Sequence, residues 1–471
     1  MRRLITLALL SSLAVSYTLP VMAIQDAVPK ESAQQAQTVK IKKEKKKETK
    51  VTPSQNKYEY INMEWWKSFN DPILEGYIIR ALENNKDLKI ASLSVDEFYQ
   101  SVLAQRANEM PSVYTGFLPA YAKTGRNTNF TFALPLIMSY EIDLWGKNHN
   151  KTTAVRKMYE TTILDEQSAY ISVAAAVGSA YINIVKLDSM IDMQENIVNL
   201  RKDIFEIMDI SNKEGIVSTS DLVKANQSYM LGVTELTDLK KARTKLLHAL
   251  AVLVGDSPNN IEEYSRISYK DLTYSGDLPV TVSSDVIMNR PDYLKAEKML
   301  EKAGLDVRIA RKEMCPSITL GGGAFFNNKE IGSLFNTSSM LWGVGGGLIQ
   351  PAFMGGKLRA NLKAKKIAYE KAVKNYEKVN LTSMQEVNDT LVSVNMDREK
   401  LSKQQEVQRL EMRDFTLTQE KYKEGIISQL DLKQKQENLL NVNRMVSASN
   451  FDCMIDYISY YKAIAAAKNV M

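Results

Sequence analysis

A ten-residue stretch that occurs twice constrains this chain more than any other feature. Residues 213–222 read KEGIVSTSDL and residues 423–432 read KEGIISQLDL, so seven of ten positions agree at a spacing of 210 residues. Upstream, residues 110–113 (MPSV) match residues 315–318 (CPSI) at a spacing of 205. The chain is therefore a tandem duplication, and five extra residues entered the second copy between about 318 and 350, in a loop.

The first 57 residues are predicted to lie outside the folded part of the protein. Arg2 and Arg3, a mostly apolar run and the small residue Ala23 are typical of a secretory signal peptide over residues 1–23. Residues 1–50 carry ten Lys or Arg and four Asp or Glu, which accounts for the whole net charge of +6. Residues 24–57 are predicted to be a disordered basic arm, with contact to anionic lipid as the weaker alternative. Residues 51–471 carry no net charge, so they lack the basic surface expected for a nucleic-acid partner.

Alternating apolar residues predict β-strands in both copies. Residues 129–144 (NFTFALPLIMSYEIDL) place eight apolar side chains on one face of an extended strand, although Pro135 requires an interrupted ladder or an edge. Residues 340–348 repeat the pattern, and shorter candidates precede them at 112–121 and 317–326. Four strands result. Their long apolar face with aromatic ends favours contact with lipid over a small soluble sheet. After the predicted signal peptide the sequence contains no run of 18 apolar residues, so no membrane-spanning helix is predicted.

Helices account for most of the remaining chain. Asp71 and Pro72 predict the start of a helix that runs toward Glu109. Later, residues 147–214 and 357–424 contain no Pro and almost no Gly, and their coiled-coil spacing of apolar residues predicts helices roughly 100 Å long.

Gly215 and Gly425 are suited to end these two helices, and Ser218 and Ser428 are suited to cap the helices that follow. The two repeated decapeptides are therefore predicted to be the turns of two long helical hairpins.

Four strands cannot close a barrel, and open sheet edges cannot face lipid because their backbone groups would lack hydrogen bonds. Several chains must therefore contribute strands to one barrel. Three chains supply twelve strands, an even number within the range of outer-membrane barrels. The strands would continue into twelve helices that form a tube on the aqueous side.

Four motifs together resemble the TolC-like outer-membrane efflux channels. They are WWxxFxDPxL at 65–74, RPDxxxAE at 290–297, Gly-Gly-Lys at 355–357, and the YxxG turn at 422–425 with an Asp six residues later. The first two motifs are most similar to the branch that serves resistance-nodulation-division pumps. The resemblance covers nearly all of residues 60–467.

The resemblance implies an α+β membrane protein whose homotrimer joins a 12-strand transmembrane β-barrel to a periplasmic α-helical barrel. It also implies a passive exit duct without cofactor or metal. The expected partners are outer-membrane lipid, a periplasmic adaptor (membrane fusion) protein and an inner-membrane pump of the resistance-nodulation-division type.

Carried over by position, the resemblance places the two turns at the periplasmic tip. It implies acidic rings of Asp221 and Asp431 around the aperture, and a gating role for Tyr422 in the closed state. Each Asp also has the simpler interpretation of stabilising its helix through the dipole. The residues expected to form the tip turns and to dock the adaptor are Gly215, Ile216, Ser218, Gly425, Ile426, Ser428 and Leu430.

Several boundaries and alternatives follow from the same residues. Cys315 and Cys453 are predicted to lie far apart and to stay unpaired, and no Cys in residues 20–30 offers a lipid attachment site. An enzyme is disfavoured by two histidines and the lack of a nucleophile or phosphate-loop motif. A type I protein secretion duct and a structural coiled-coil envelope protein remain open as alternative functions.

The predicted segments are a signal peptide (1–23), a basic arm (24–57), a first repeat (58–255), an equatorial linker (256–280) and a second repeat (281–471).

Overall fold

The computed structural model describes residues 65–124, 127–259, 264–274 and 284–464. The predicted signal peptide, the predicted basic arm and parts of the predicted linker lie outside these ranges. The described chain is mostly helical and contains one antiparallel sheet.

The two copies contain matching elements. After a 3₁₀ turn at Trp65–Phe69, the first copy consists of α1 (Pro72–Asn84), α2 (Lys86–Ala107), β1 (Ser112–Thr115), β2 (Leu118–Thr124), β3 (Asn127–Ile142), α3 (Lys147–Lys213) and α4 (Thr219–Val254). The second consists of α5 (Ser284–Met288), α6 (Pro291–Lys312), β4 (Ser317–Asn328), β5 (Met340–Ile349), α7 (Lys357–Lys423) and α8 (Gln429–Ala463). Both α3 and α7 have 67 residues, as expected for the long helices.

The single helix expected from Asp71 toward Glu109 is wrong, because the chain breaks at Asn85. Asn85 adopts φ −56° and ψ 132°, and its side chain accepts hydrogen bonds from the backbone amides of Asp87 and Leu88. Asn85 is therefore the N-cap of a new helix. The second copy has the same break before Pro291, where Arg290 is the extended residue that precedes α6.

The sheet contains five strand segments rather than four. Segments β1 and β2 pair with β3 in one continuous register, in which Thr115 lies opposite Leu136 and Leu118 lies opposite Ala133. Between them, the amide of Gly116 donates to the carbonyl of Pro135 at 3.3 Å. Pro135 has no N–H to return that bond, so the ladder is interrupted there. The sheet order is β1/β2, β3, β4, β5, with all neighbours antiparallel.

The insertion in the second copy lies in the loop 329–339 between β4 and β5, whereas two residues, 125–126, separate β2 and β3.

The strand register sorts the side chains onto two faces, because residues directly opposite one another point the same way. The apolar face carries Phe132, Leu134, Leu136, Met138, Tyr140, Ile142, Ile318, Leu320, Phe326, Met340, Trp342, Val344 and Leu348. The second face carries Tyr114, Pro135, Ile137, Ser139, Glu141, Thr319, Gly321, Gly323, Phe325, Leu341, Gly343, Gly345 and Gly347.

The core is helical and is centred on α3. This helix buries 21 of its residues, whereas α7, of the same length, buries three. Within the described ranges, α3 is the one helix apolar and long enough to cross a membrane by composition, but 61% of that window is buried inside the protein. The expected coiled-coil seam is present, since Ile197, Leu200 and Ile204 are all buried.

Two motifs lock the ends of the helices together. Trp65, Trp66 and Phe69 are buried, and the ring of Trp65 lies parallel to that of Tyr461 in α8 with centroids 6.2 Å apart. The hydroxyl of Tyr181 donates to Oδ2 of Asp71 at 2.5 Å. These contacts fix the chain entry against α3 and the end of α8.

The second motif is centred on Arg290, which is 8% exposed. Its guanidinium donates to Asp292, to Glu386 in α7 at 2.6 Å and to the carbonyl of Ala463 at 2.8 Å. Burial alone would raise the pKa of Asp292, but the ion pair with Arg290 outweighs burial and lowers it. Arg290 thus joins the start of α6 to the side of α7 and to the C-terminal end of α8.

Candidate functional site: the tips of the two hairpins

The first hairpin turn is built by local backbone geometry. Gly215 adopts φ 73°, a left-handed conformation that favours glycine, and the amide of Ile216 donates to the carbonyl of Ser211 at 2.9 Å. Ser218 then caps α4, because its Oγ accepts from the amide of Asp221 at 3.1 Å. The turn therefore ends one long helix and begins the next within a few residues.

The second turn repeats this geometry. Gly425 adopts φ 75°, and the amide of Ile426 donates to the carbonyl of Lys421 at 2.9 Å. Ser428 and Asp431 form a capping box, in which the Asp431 amide donates to Ser428 Oγ and the Ser428 amide donates to Asp431 Oδ2, both at 3.1 Å. The predicted glycine and serine positions are thus confirmed as turn and cap positions.

The two tip carboxylates differ in their charge environment. Hydrogen bonds from Ser218, and then the Lys224 ammonium at 3.0 Å, lower the pKa of Asp221. Hydrogen bonds from the side chain and amide of Ser428 lower the pKa of Asp431. No basic side chain in the described part of the chain forms an ion pair with Asp431. Both groups are ionised at neutral pH, and Asp431 is the one whose charge is not compensated.

The tip presents apolar side chains to water on both hairpins. Ile216 is 77% exposed and Ile426 is 65% exposed. Tyr422, in the last turn of α7, is also exposed. Leu430 differs from the other expected docking residues, because it packs against the buried cluster of Leu200, Ile204 and Ala225 in the first hairpin. Leu430 therefore lies between the hairpins and only partly faces solvent.

Ionic contacts between the hairpins, which the sequence did not reveal, lie just behind the tips. Lys433 in α8 pairs with Asp203 in α3 at 2.7 Å, and Arg201 in α3 pairs with Glu437 in α8 at 2.7 Å. Their partners are more than 200 residues apart in sequence, so no local pattern could have identified them. Together with Leu430 they hold α8 against α3.

The described residues contain no group of three or more His, Cys, Asp or Glu side chains arranged to hold a metal ion. Cys315 and Cys453 are both free thiols, and Cys453 is buried, so the prediction that they stay apart is confirmed. The tips therefore combine turns, exposed apolar residues and negative charge.

The family described as outer membrane efflux protein matches residues 77–256 and 282–450. The chain belongs to this family. The two matched segments coincide with the two structural copies, each from its first helices into its hairpin. Membership confirms the resemblance to TolC-like channels and excludes a purely structural coiled-coil protein.

Similar proteins cover nearly the whole chain. The toluene efflux pump outer membrane protein TtgC of Pseudomonas putida is 26% identical over 410 residues, which is 85% of this chain and 84% of that protein. The cation efflux system protein CusC of Escherichia coli is 26% identical over 415 residues, covering 86% of this chain and 89% of that protein.

Solved structures show the same fold. The Campylobacter jejuni CmeC outer membrane channel matches with a TM-score of 0.79 at 23% identity, over 88% of this chain and 90% of that one. The open state of the Neisseria gonorrhoeae MtrE outer membrane channel matches with a TM-score of 0.77 at 22% identity, over 89% and 94%. As a family member, this efflux protein is a non-enzymatic transport protein of the outer membrane that extends into the periplasm.

Proposed function

We propose that three copies of this chain form the exit duct of a tripartite efflux pump. The sheet carries the proposal, because its four strand lines end in β1/β2 on one side and β5 on the other, with no further strand in the described ranges. In lipid those two edges need partners, and the edge of the next protomer supplies them. Three protomers close a barrel of twelve strand lines, and the apolar face of each sheet then meets the lipid.

The exposed length of α7 supports assembly of the helices into the same trimer. Ile367, Leu381, Val392 and Met396 of α7 are each more than half exposed, although they are large apolar side chains. A neighbouring protomer's helices would cover these side chains and complete an α-helical barrel across the periplasm. We propose residues 58–255 and 281–471 as the two repeats of this protomer, joined by an equatorial linker at 256–280, after a signal peptide (1–23) and a basic arm (24–57).

We further propose that the hairpin tips form the periplasmic gate. Threefold symmetry brings three copies of Asp431 around a narrow opening, where uncompensated charges attract cations. Asp221 contributes more weakly because Lys224 neutralises it. The hydroxyl of Tyr422, near the end of α7, holds neighbouring hairpins together in the closed state.

The exposed tip residues fit docking of a periplasmic adaptor protein, with Ile216 and Ile426 as the apolar contacts. The adaptor connects the duct to an inner-membrane pump of the resistance-nodulation-division type. Small toxic compounds then pass passively through the open duct. A duct for type I protein secretion is the alternative, and the relatives named for efflux favour the pump.

Single-channel conductance in planar bilayers tests the proposal. We expect small cation-selective currents from the wild type, lower cation selectivity from Asp431→Asn, and a higher open probability from Tyr422→Phe. Asn is chosen over Ala because its oxygen can still accept the bond from Ser428, so the change removes charge rather than the helix cap.

Asp221→Asn is the matched control, since the charge it removes is already paired with Lys224. The cation selectivity of this variant should change less than that of Asp431→Asn. Ser428→Ala removes the cap and leaves the charge in place. Failure of the purified protein to insert would contradict the duct. Identical currents from all forms would contradict the gate while leaving the duct intact.

A further inference from the structure

The second face of the sheet carries large apolar side chains that lipid does not explain. Tyr114 is 64% exposed, Ile137 52%, Phe325 37% and Leu341 73%. Tyr114 lies opposite Ile137, and Phe325 lies opposite both Pro135 and Leu341. The four side chains therefore occupy two adjacent rungs of one face, about 7 Å apart along the strands.

On β4 and β5 the same face carries glycines, both in the rung of Ile137 and in the next rung toward the helices. Gly323 lies opposite both Ile137 and Gly343, and Gly321 lies opposite Gly345, so neither rung has a side chain on β4 or β5. A Cβ added at Gly343 or Gly345 would meet nothing within 4 Å. Close packing within the protomer therefore does not require glycine at positions 343 and 345, whereas a Cβ at Gly323 would lie 2.7 Å from the carbonyl oxygen of Leu136.

The loop after β4 does not cover the apolar residues. Residues 329–339 lead from Asn328 to Met340 at the same end of the sheet. The ring of Phe335 in this loop packs against Phe326 with centroids 5.9 Å apart, and Phe326 belongs to the apolar face. The loop therefore folds toward the opposite side of the sheet and leaves Phe325 and Leu341 exposed.

We propose that Tyr114, Ile137, Phe325 and Leu341 form an apolar collar inside the barrel, at the level of the middle of β3, that selects for solutes with apolar surface. The inference rests on the proposed trimeric duct, in which the second face lines the lumen and each residue occurs three times. Twelve strand lines spaced ~4.8 Å apart and tilted ~40° lie on a circle of about 24 Å diameter. Twelve large side chains projecting from two rungs narrow that lumen, while the next rung toward the helices, which contains Gly321 and Gly345, leaves it wider.

The chemistry of the collar predicts its selectivity. Barrel interiors are ordinarily polar, and an apolar constriction disfavours hydrated inorganic ions because they lose favourable contacts with water there. A solute with its own apolar surface gains free energy when both apolar surfaces leave water. Combined with the uncompensated Asp431 at the tip, the collar favours organic cations with apolar substituents over small inorganic ions.

Interruption of single-channel current by tetraalkylammonium ions tests the collar. Tetrabutylammonium and tetramethylammonium have the same charge and differ in apolar surface, and each is added on the barrel side in potassium chloride. A bound ion in the lumen interrupts the current whichever constriction dominates the resistance. In the wild type we expect interruptions by tetrabutylammonium and none by tetramethylammonium.

Phe325→Ser with Leu341→Ser should shorten the interruptions about tenfold, the factor that one to two buried methylene groups provide. Phe325→Leu should preserve them, because it keeps the apolar surface. Thr319→Ala is the matched control, since Thr319 lies on the same face of β4 beside Gly347, away from the collar, and it should leave the interruptions unchanged.

Equal interruption times in the wild type and the double Ser variant, in channels that conduct, would overturn the collar alone. Equal interruption by the two ammonium ions would also overturn it, because charge and not apolar surface would then decide binding. A wild-type protein that never conducts would overturn the duct and the collar together.

Discussion

Gly178 provides a sensitive test of how closely α3 packs against the N-terminal aromatic residues. A Cβ added at Gly178 would lie 2.5 Å from Cη2 of Trp65 and 3.3 Å from Cδ1 of Ile458. Ordinary van der Waals contact begins at 3.4 Å, so the ring or the helix must move by about 1 Å. Trp65 has little freedom to move, because it is 6% exposed and packs against Tyr461 and Trp66.

We therefore expect Gly178→Ala to destabilise each protomer. Overpacking a dense core costs about 1–3 kcal/mol, and replacing glycine by alanine within a helix recovers about 0.5–1 kcal/mol. The net loss is about 1–2 kcal/mol. The assay is the melting temperature of the purified protein, read as loss of the heat-modifiable band expected of the proposed trimer on gel electrophoresis.

Gly76→Ala is the control, because Gly76 also lies within a helix and a Cβ there would meet nothing within 4 Å. This control should raise the melting temperature slightly. Adding Trp65→Phe to Gly178→Ala should reduce the loss of stability caused by the alanine, since the effects of substitutions at residues in contact are not additive. If Gly178→Ala and Gly76→Ala melt alike, the close approach of Trp65 to α3 is wrong.

Three further predictions concern other contacts of the helices. Arg290→Gln should lower stability by about 2–3 kcal/mol, because charged hydrogen bonds from the buried guanidinium are lost, and an unchanged melting temperature of the protein would contradict this. Burial, and then hydrogen bonding to Asp397, raises the pKa of Asp456 to about 7 from 3.8. The folded protein therefore holds the Asp456 proton more tightly than the unfolded chain does, and the free energy of unfolding is highest in acid. It should fall by about 1–2 kcal/mol as pH rises from about 4 through about 7, as measured by urea titration. Asp456→Asn should flatten this pH dependence. Gly425→Ala should cost about 1 kcal/mol through its positive φ, and protease should cleave the altered tip sooner than the wild-type tip.

Local patterns predicted a large part of the fold. The two 67-residue helices and their glycine turns follow from the absence of Pro and the positions of Gly215 and Gly425, because helix continuation and helix ends depend on neighbouring residues. The break at Asn85 was missed although Asn85 corresponds to Arg290, which precedes a proline. An Asn before Lys and Asp is a capping signal, and it would have located the second helix.

The candidate site was predicted only in its local part. Ser218 and Ser428 were identified as caps and confirmed, since a cap bonds to an amide three residues away. Leu430 was expected at an exposed docking surface, yet it packs against the first hairpin. Its partners lie more than 200 residues away in sequence, and the spacing of apolar residues along the chain does not indicate such a contact.

The sequence by itself determined the duplication, the periodicity of strands and helices, and the turns, because each depends on residues within a few positions of one another. Only the tertiary structure decided which distant groups meet. It placed Glu386 and the carbonyl of Ala463 on Arg290, and it paired Phe325 with Leu341 in the sheet. Hydrogen-bond geometry and side-chain packing fix such pairings only when the whole chain has folded, since registers that differ by two residues share the same alternation of apolar side chains.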